Sequence, residues 1–152
     1  MARTKSKLQA ATLGGSPEDV EAAFYEGLQS GDVDKVMACW ADEDDIVCIH
    51  PGGQRLLGAA RIRASFETLF SNGGTVQVTP ESVHHVDAVA STVRHVLERA
   101  EVSTPQGTAY AYVQATNVYY KTAQGWRMVL HHASVGAQGQ SSEEMHSPKV
   151  LH

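Results

Sequence analysis

The sequence predicts one α+β domain in which three N-terminal helices pack in a strongly curved antiparallel sheet. Three observations carry this. The chain has 152 residues, which suits one domain and is short for two. Up to Phe70 it holds capped segments with apolar residues at helical spacing. From Val76 onward it alternates in β-rich runs separated by tight turn signals. Helices that precede the strands, rather than alternating with them, belong to the α+β class.

Ser16-Pro17-Glu18-Asp19 opens the first helix: a capping hydroxyl, a proline suited to the first helical position and two carboxylates for the positive end of the helix. Val20, Ala23, Phe24 and Leu28 form its apolar face, and Gly31 ends it. Asp32 caps a shorter helix containing Val33, Val36, Met37 and Trp40. The acidic run Asp42 to Asp45 reads as a solvated loop. Ile46 to Ile49 reads as a short strand, broken by His50-Pro51-Gly52-Gly53. A third helix is expected from about Ala59 to Phe70, with Ile62, Phe66, Leu69 and Phe70 inward, stopped by Asn72-Gly73-Gly74. Strands follow over about Val76–Val86, Val89–Ser103, Thr108–Lys121 and Trp126–Ser134. Pro80 predicts an edge position or a bulge in the first of them. Thr104–Gly107 and Thr122–Gly125 are the hairpin loops.

Composition excludes several classes. No run of about 18 apolar residues exists, so no transmembrane helix is expected. Met1 to Gly15 has basic residues but no apolar core, so it does not read as a secretory signal. The two cysteines, Cys39 and Cys48, make neither a disulfide framework nor a zinc pattern; they read as buried apolar residues of a reduced, cytoplasmic protein. The overall charge is −5; residues 1–15 carry +3 and residues 136–152 carry −1, so the body between them carries −7. An acidic body repels phosphates, which argues against nucleic acid as a partner. Residues 1–15 and 136–152 read as flexible tails around a domain spanning 16–135.

Several segments resemble the NTF2-like superfamily, which includes ketosteroid isomerase, the SnoaL-like polyketide cyclases and the association domain of calmodulin-dependent kinase II. They are Phe24 to Asp34 with its Gly31-Asp32-Val33-Asp34 turn, Trp40-Ala41-Asp42, His50-Pro51-Gly52-Gly53, Gly58 to Ile62, Thr116 to Tyr119, and Gly125 to Ser134. The resemblance spans roughly residues 16 to 135. It implies a cone-shaped fold with an internal pocket, and the scaffold serves both enzymes and assembly modules.

The resemblance also implies site residues. His50, before Pro51, stands where the isomerases keep the aspartate that acts as general base, and an imidazole can shuttle protons there. A histidine packed at a strand end is the plainer alternative. Asn117 matches the isomerase aspartate that hydrogen-bonds a developing oxyanion, a bond an amide donates without any shifted pKa. Phe24 matches the isomerase tyrosine but lacks its hydroxyl, which counts against steroid isomerisation. Tyr25, about 100° further round the helix, is expected to face elsewhere.

If Lys121 pairs with Trp126 and Ser103 with Thr108, strand alternation puts Asn117, Ala115, His132, Leu130, Met128, Trp126, Arg94 and Glu98 on one face. A register slip of one residue would reverse this assignment. Arg94, Glu98 and His132 then become polar pocket groups, with an Arg94–Glu98 pair, and Trp40 and Phe66 become core or pocket walls. His84-His85 and His131-His132 cannot chelate as units, because adjacent strand residues point to opposite faces, so no metal site is expected. The expected function is a small-molecule pocket protein of the SnoaL-like type. As an enzyme it would perform cofactor-free proton transfer next to a carbonyl of a small hydrophobic ligand, with His50 as base and Asn117 as oxyanion donor. The alternative is a non-catalytic ligand-binding or oligomerisation module. A homodimer through the sheet is expected in both cases, with Tyr110, Tyr112 and Tyr120 on the outer face.

Overall fold

A computed structural model describes residues 13–73 and 77–136. Most of both expected tails, residues 1–12 and 137–152, and the end of the Asn72-Gly73-Gly74 stop lie outside the described residues. Helix α1 spans Pro17–Ser30. The Ser16 side chain accepts from Asp19 N, and Gly31 closes the helix at φ 67°, a left-handed conformation that costs glycine little. Helix α2, Val33–Ala38, starts on the Asp32 side chain, which accepts from Lys35 N. Gly27 lets α1 and α2 meet: a Cβ there would lie 2.7 Å from Val36 Cγ2. Helix α3 covers Ala59–Gly73.

The strands are β1 (Val47–Ile49), β2 (Leu56–Leu57), β3 (Val78–Asp87), β4 (Ser91–Thr104), β5 (Gly107–Thr122) and β6 (Gly125–Val135). They form one curved, unclosed sheet in the order β2-β1-β6-β5-β4-β3. The antiparallel meander β3 to β6 follows the expected order. Two features were not anticipated: the two-residue strand β2, and the parallel pairing of β1 with β6, which sets Cys48 beside His131. A register shift lies between Pro80 and Ser82, at the position the proline predicts. A second shift, between Val118 and Tyr119, inserts Val129 into β6 without a partner.

The core fills the space between the helices and the inner face of the sheet. Phe24, Val36, Trp40, Ile62, Phe66 and Met128 are buried in it. Each such side chain contributes roughly 1.5–3 kcal/mol by leaving water. Trp40 sits fully covered, bridged in parallel to Met128 on β6. Among the described residues, no helix is long and apolar enough to cross a membrane.

Candidate functional site

Inside this core lies a cluster of polar groups, and the spacing of helix and strand residues explains it. On α1, Glu21 and Tyr25 stand four residues apart and share a face. On β4, Arg94 and Glu98 share the inner face. The register sets Arg94 opposite Asn117 and Asn117 opposite His131, so one inner row crosses β4, β5 and β6. All of these side chains are buried, Asn117 completely.

Their tips bond to one another. Tyr25 Oη donates to Glu98 Oε2 at 2.6 Å. The Asn117 amide nitrogen donates to Glu21 Oε2 and to Tyr25 Oη, each at 3.2 Å. Tyr119 Oη donates to Glu21 Oε2 at 2.9 Å. Arg94 Nε donates to Glu21 Oε1 at 2.9 Å, and its terminal nitrogen reaches Glu18, an exposed carboxylate, at 3.3 Å. Because the Asn117 amide nitrogen is spent on Glu21 and Tyr25, its oxygen accepts, and His131 Nδ1 donates to it at 2.6 Å. His131 therefore carries its proton on Nδ1 and leaves Nε2 proton-free.

Burial sets the proton affinities. Loss of water pushes the Glu98 carboxyl up to about 7; the Tyr25 hydrogen bond opposes this and the nearby Glu21 charge adds to it. The same loss drives His131 down to about 3, helped by His50 and His132. Burial, then the Glu98 charge, raises Tyr25 well above a free phenol. For Arg94 burial disfavours the charge, but the Glu21 bond and charge outweigh it, and its proton affinity rises.

His50 forms a separate corner at the end of β1. Its Nε2 lies 2.9 Å from Ser65 Oγ on α3 and 3.7 Å from Cys48 Sγ. Ser65 gives its own proton to Ile62 O at 2.6 Å, so it accepts from His50 Nε2–H and leaves Nδ1 as the basic nitrogen. Burial lowers the His50 pKa, which favours the neutral ring. The ring packs edge-on against Phe66 with centroids 4.9 Å apart. Phe66 contacts Phe24, and Phe24 contacts His131 at 5.0 Å, so a row of aromatic rings runs from His50 to the polar cluster.

Several expectations change. His132 is not a concave-face group: it is exposed, and His131 takes the inner place. The bulge between Val118 and Tyr119 sets Asn117 opposite His131 rather than Leu130 and reverses the parity of β6 beyond it. Tyr25 does not face elsewhere; it is buried and donates to Glu98, because α1 is covered over a wide arc that includes Val20, Glu21, Phe24 and Tyr25. Arg94 and Glu98 do share the inner face, but they do not pair: Arg94 takes Glu21 and Glu98 takes Tyr25. Trp40 and Phe66 are fully buried core residues. Glu21 and Tyr119 were missed, although a carboxylate four residues before a buried tyrosine and a hydroxyl two residues after Asn117 were legible signals.

Cys39 and Cys48 are buried and form no disulfide, and desolvation raises the Cys48 thiol to about 12. Among the described residues, no group of three or more histidine, cysteine or acidic side chains is placed to hold a metal ion. A shallow groove of about 340 Å³ lies on the outer flank of α1, between Leu13, Ala23, Glu26 and Lys35. No residue of the interior cluster lines it.

The SnoaL-like domain family matches residues 18–138. No protein with a curated description matches the chain. Among solved structures, it is similar to a candidate calcium/calmodulin-dependent protein kinase type II association domain from Thiobacillus denitrificans. The two are 34% identical over 82% of this chain and 98% of that one, with a TM-score of 0.75. It is also similar to a candidate dehydratase of the NTF2-like family from Streptomyces avermitilis, at 25% identity over 78% of this chain and 92% of that one, TM-score 0.69. The S. rosetta CaMKII hub shares the fold at 18% identity over 81% of this chain and 99% of that one, TM-score 0.64.

Proposed function

This chain belongs to the SnoaL-like domain family, and on that premise we propose that it binds a small hydrophobic carbonyl compound at the interior polar cluster. One observation carries the reading. Hydrogen-bond donors and a carboxyl with a pKa of about 7 converge among aromatic rings, in a region otherwise built of apolar side chains. Burying such groups costs stability unless they are fully paired, so this is an expensive way to fill a core and a suitable way to recognise a carbonyl.

A ligand oxygen entering the cone would accept from Tyr25 and Asn117 in place of their present partners. Glu98 would hold or return a proton near neutral pH. In the enzymatic form, His50 takes a proton next to the carbonyl through its free Nδ1 and Asn117 supports the oxyanion, with no cofactor. The acidic body and the two buried cysteines, which form no disulfide, support a cytoplasmic protein that does not bind nucleic acid.

The test is titration of the full chain with a planar aryl ketone such as 2-acetylnaphthalene, followed by amide chemical shifts. Binding should perturb residues around Tyr25 and Asn117, and Tyr25→Phe should weaken it at least tenfold. Absence of binding, or equal binding by Tyr25→Phe, would sink the reading.

A second reading, an assembly module, is supported by the outer face of the sheet. Tyr110 and Tyr120 are each 52% exposed there and Val93 42%. We propose a homodimer through this face, consistent with the likeness to the Thiobacillus protein. Light scattering at micromolar concentration should give at least a dimer mass; a monomer mass would remove this reading and leave the ligand site standing.

A further inference from the structure

The strand register creates a pairing of histidines that adjacent positions in the sequence cannot. His84 on β3 lies directly opposite His95 on β4. His95 in turn faces Thr116, and Thr116 faces His132. All four belong to the outer face, since the intervening partners Arg94 and Asn117 point inward. His84 is exposed and His95 half-buried.

We propose that His84 and His95 form a two-imidazole site for a divalent transition-metal ion. Directly opposed residues of an antiparallel pair have Cβ atoms about 4.5–5.5 Å apart. Imidazole binds zinc at about 2.0–2.1 Å, so two rings standing on adjacent strands can close on one ion without moving the backbone. Imidazole suits zinc, copper and nickel, while the absence of any carboxylate at these positions disfavours calcium and magnesium. The neighbouring pairs on this face are Val86 with Val93 and Ser82 with Leu97, so no lysine or arginine in the adjacent rows opposes a cation. Two protein ligands leave the remaining coordination to water. His85, one residue away, faces inward opposite Arg94 and bonds Asp87 Oδ2 at 2.9 Å, so it takes no part. His132 lies two strands from His95, about 9–10 Å away at the usual strand spacing, and cannot share the ion within one chain.

The experiment is calorimetric titration of the full chain, free of any affinity tag, with zinc chloride and separately with nickel chloride. One ion should bind per chain. His84→Ala and His95→Ala should each weaken binding at least tenfold, while His85→Ala and His132→Ala stay within twofold. Both paired positions face solvent at least in part, so the apo variants should keep the parent melting temperature, and loss of binding cannot be ascribed to unfolding. Zinc should raise the melting temperature of the parent and not of the two variants. No binding at 100-fold molar excess, or binding equally strong in His84→Ala and His95→Ala, overturns the proposal.

Discussion

The two faces of β4 and β5 invert the usual arrangement of a sheet. Arg94, Glu98 and Asn117 point inward and are at most 6% exposed, whereas Val93, Tyr110 and Tyr120 point outward and are 42–52% exposed. The polar residues are dry and several large apolar ones are wet. A single exposed valine or tyrosine is ordinary in a folded protein; a buried set of carboxylates, an arginine and an imidazole is the informative observation. The inner groups stay satisfied only by bonding one another, so each depends on the rest. On the outer face Arg99 lies over the Tyr110 ring at 4.7 Å, and the exposure that remains is removed only by another molecule. Substitutions should therefore act on folding when placed inside and on association when placed outside.

The sharpest way to break this contrast is Asn117→Leu. It removes the partner of Glu21, Tyr25 and His131 at once and leaves buried polar atoms unpaired. A loss of about 3–5 kcal/mol in urea unfolding is expected. A change below about 1 kcal/mol would mean that the cluster does not hold the fold together, and the contrast would fail.

Next in size is the pH dependence of stability. Glu98 is raised from 4.5 to about 7 in the folded chain, so its contribution is complete at low pH and is lost as pH rises through about 7. His131 is lowered from 6.5 to about 3, so its contribution is complete above 6.5 and is lost as pH falls toward about 3. Each is on the order of 3–5 kcal/mol at full extent, the larger for His131. The two slopes oppose each other between about pH 4.5 and 6.5, and the parent should be nearly flat there. Glu98→Gln should rise in stability with pH across that window, and His131→Phe should fall. Flat profiles in both variants would show that neither group is shifted as the burial implies.

On the outer face, Tyr120→Glu should leave chemical stability within about 0.5 kcal/mol and halve the mass seen by light scattering. A substitution that unfolds the chain instead would show that this face carries part of the fold. The smallest effect on stability is expected for His50→Ala, under about 1 kcal/mol, because the ring is half-buried and bonded mainly to Ser65. Its effect on turnover of an identified ketone should be complete loss; full activity would remove His50 as the base.

The local signals for the helices were strong: Ser16, Gly31 and Asp32 cap where their chemistry requires, and the third helix runs only three residues past its expected end. The meander was equally legible, because its turns are short and its strands long. What alternation could not supply was the interruption in β6. Val129 carries no signal that separates a bulged valine from a paired one, so the inward histidine was assigned to position 132 instead of 131. Asn117, Arg94 and Glu98 lie before that interruption, and their face was read correctly. The partners of Arg94 and Glu98 were not, because α1 supplies them from 73 residues away and no local pattern encodes that distance.

That unpaired residue in β6 also sets how the chain tolerates changes in length. Beyond it, every odd-numbered position from His131 to Ala133 faces the core. Deleting Val129 would remove the bulge and leave Met128 opposite Tyr119, Leu130 opposite Val118 and His131 opposite Asn117, so His131 and Ala133 would keep their inward places. A single-residue deletion in a surface turn, such as the Thr122–Gly125 loop, is absorbed by the loop, and this one is absorbed by the bulge. The same length change that would reverse the two faces of an evenly paired strand removes here only the residue that has no partner.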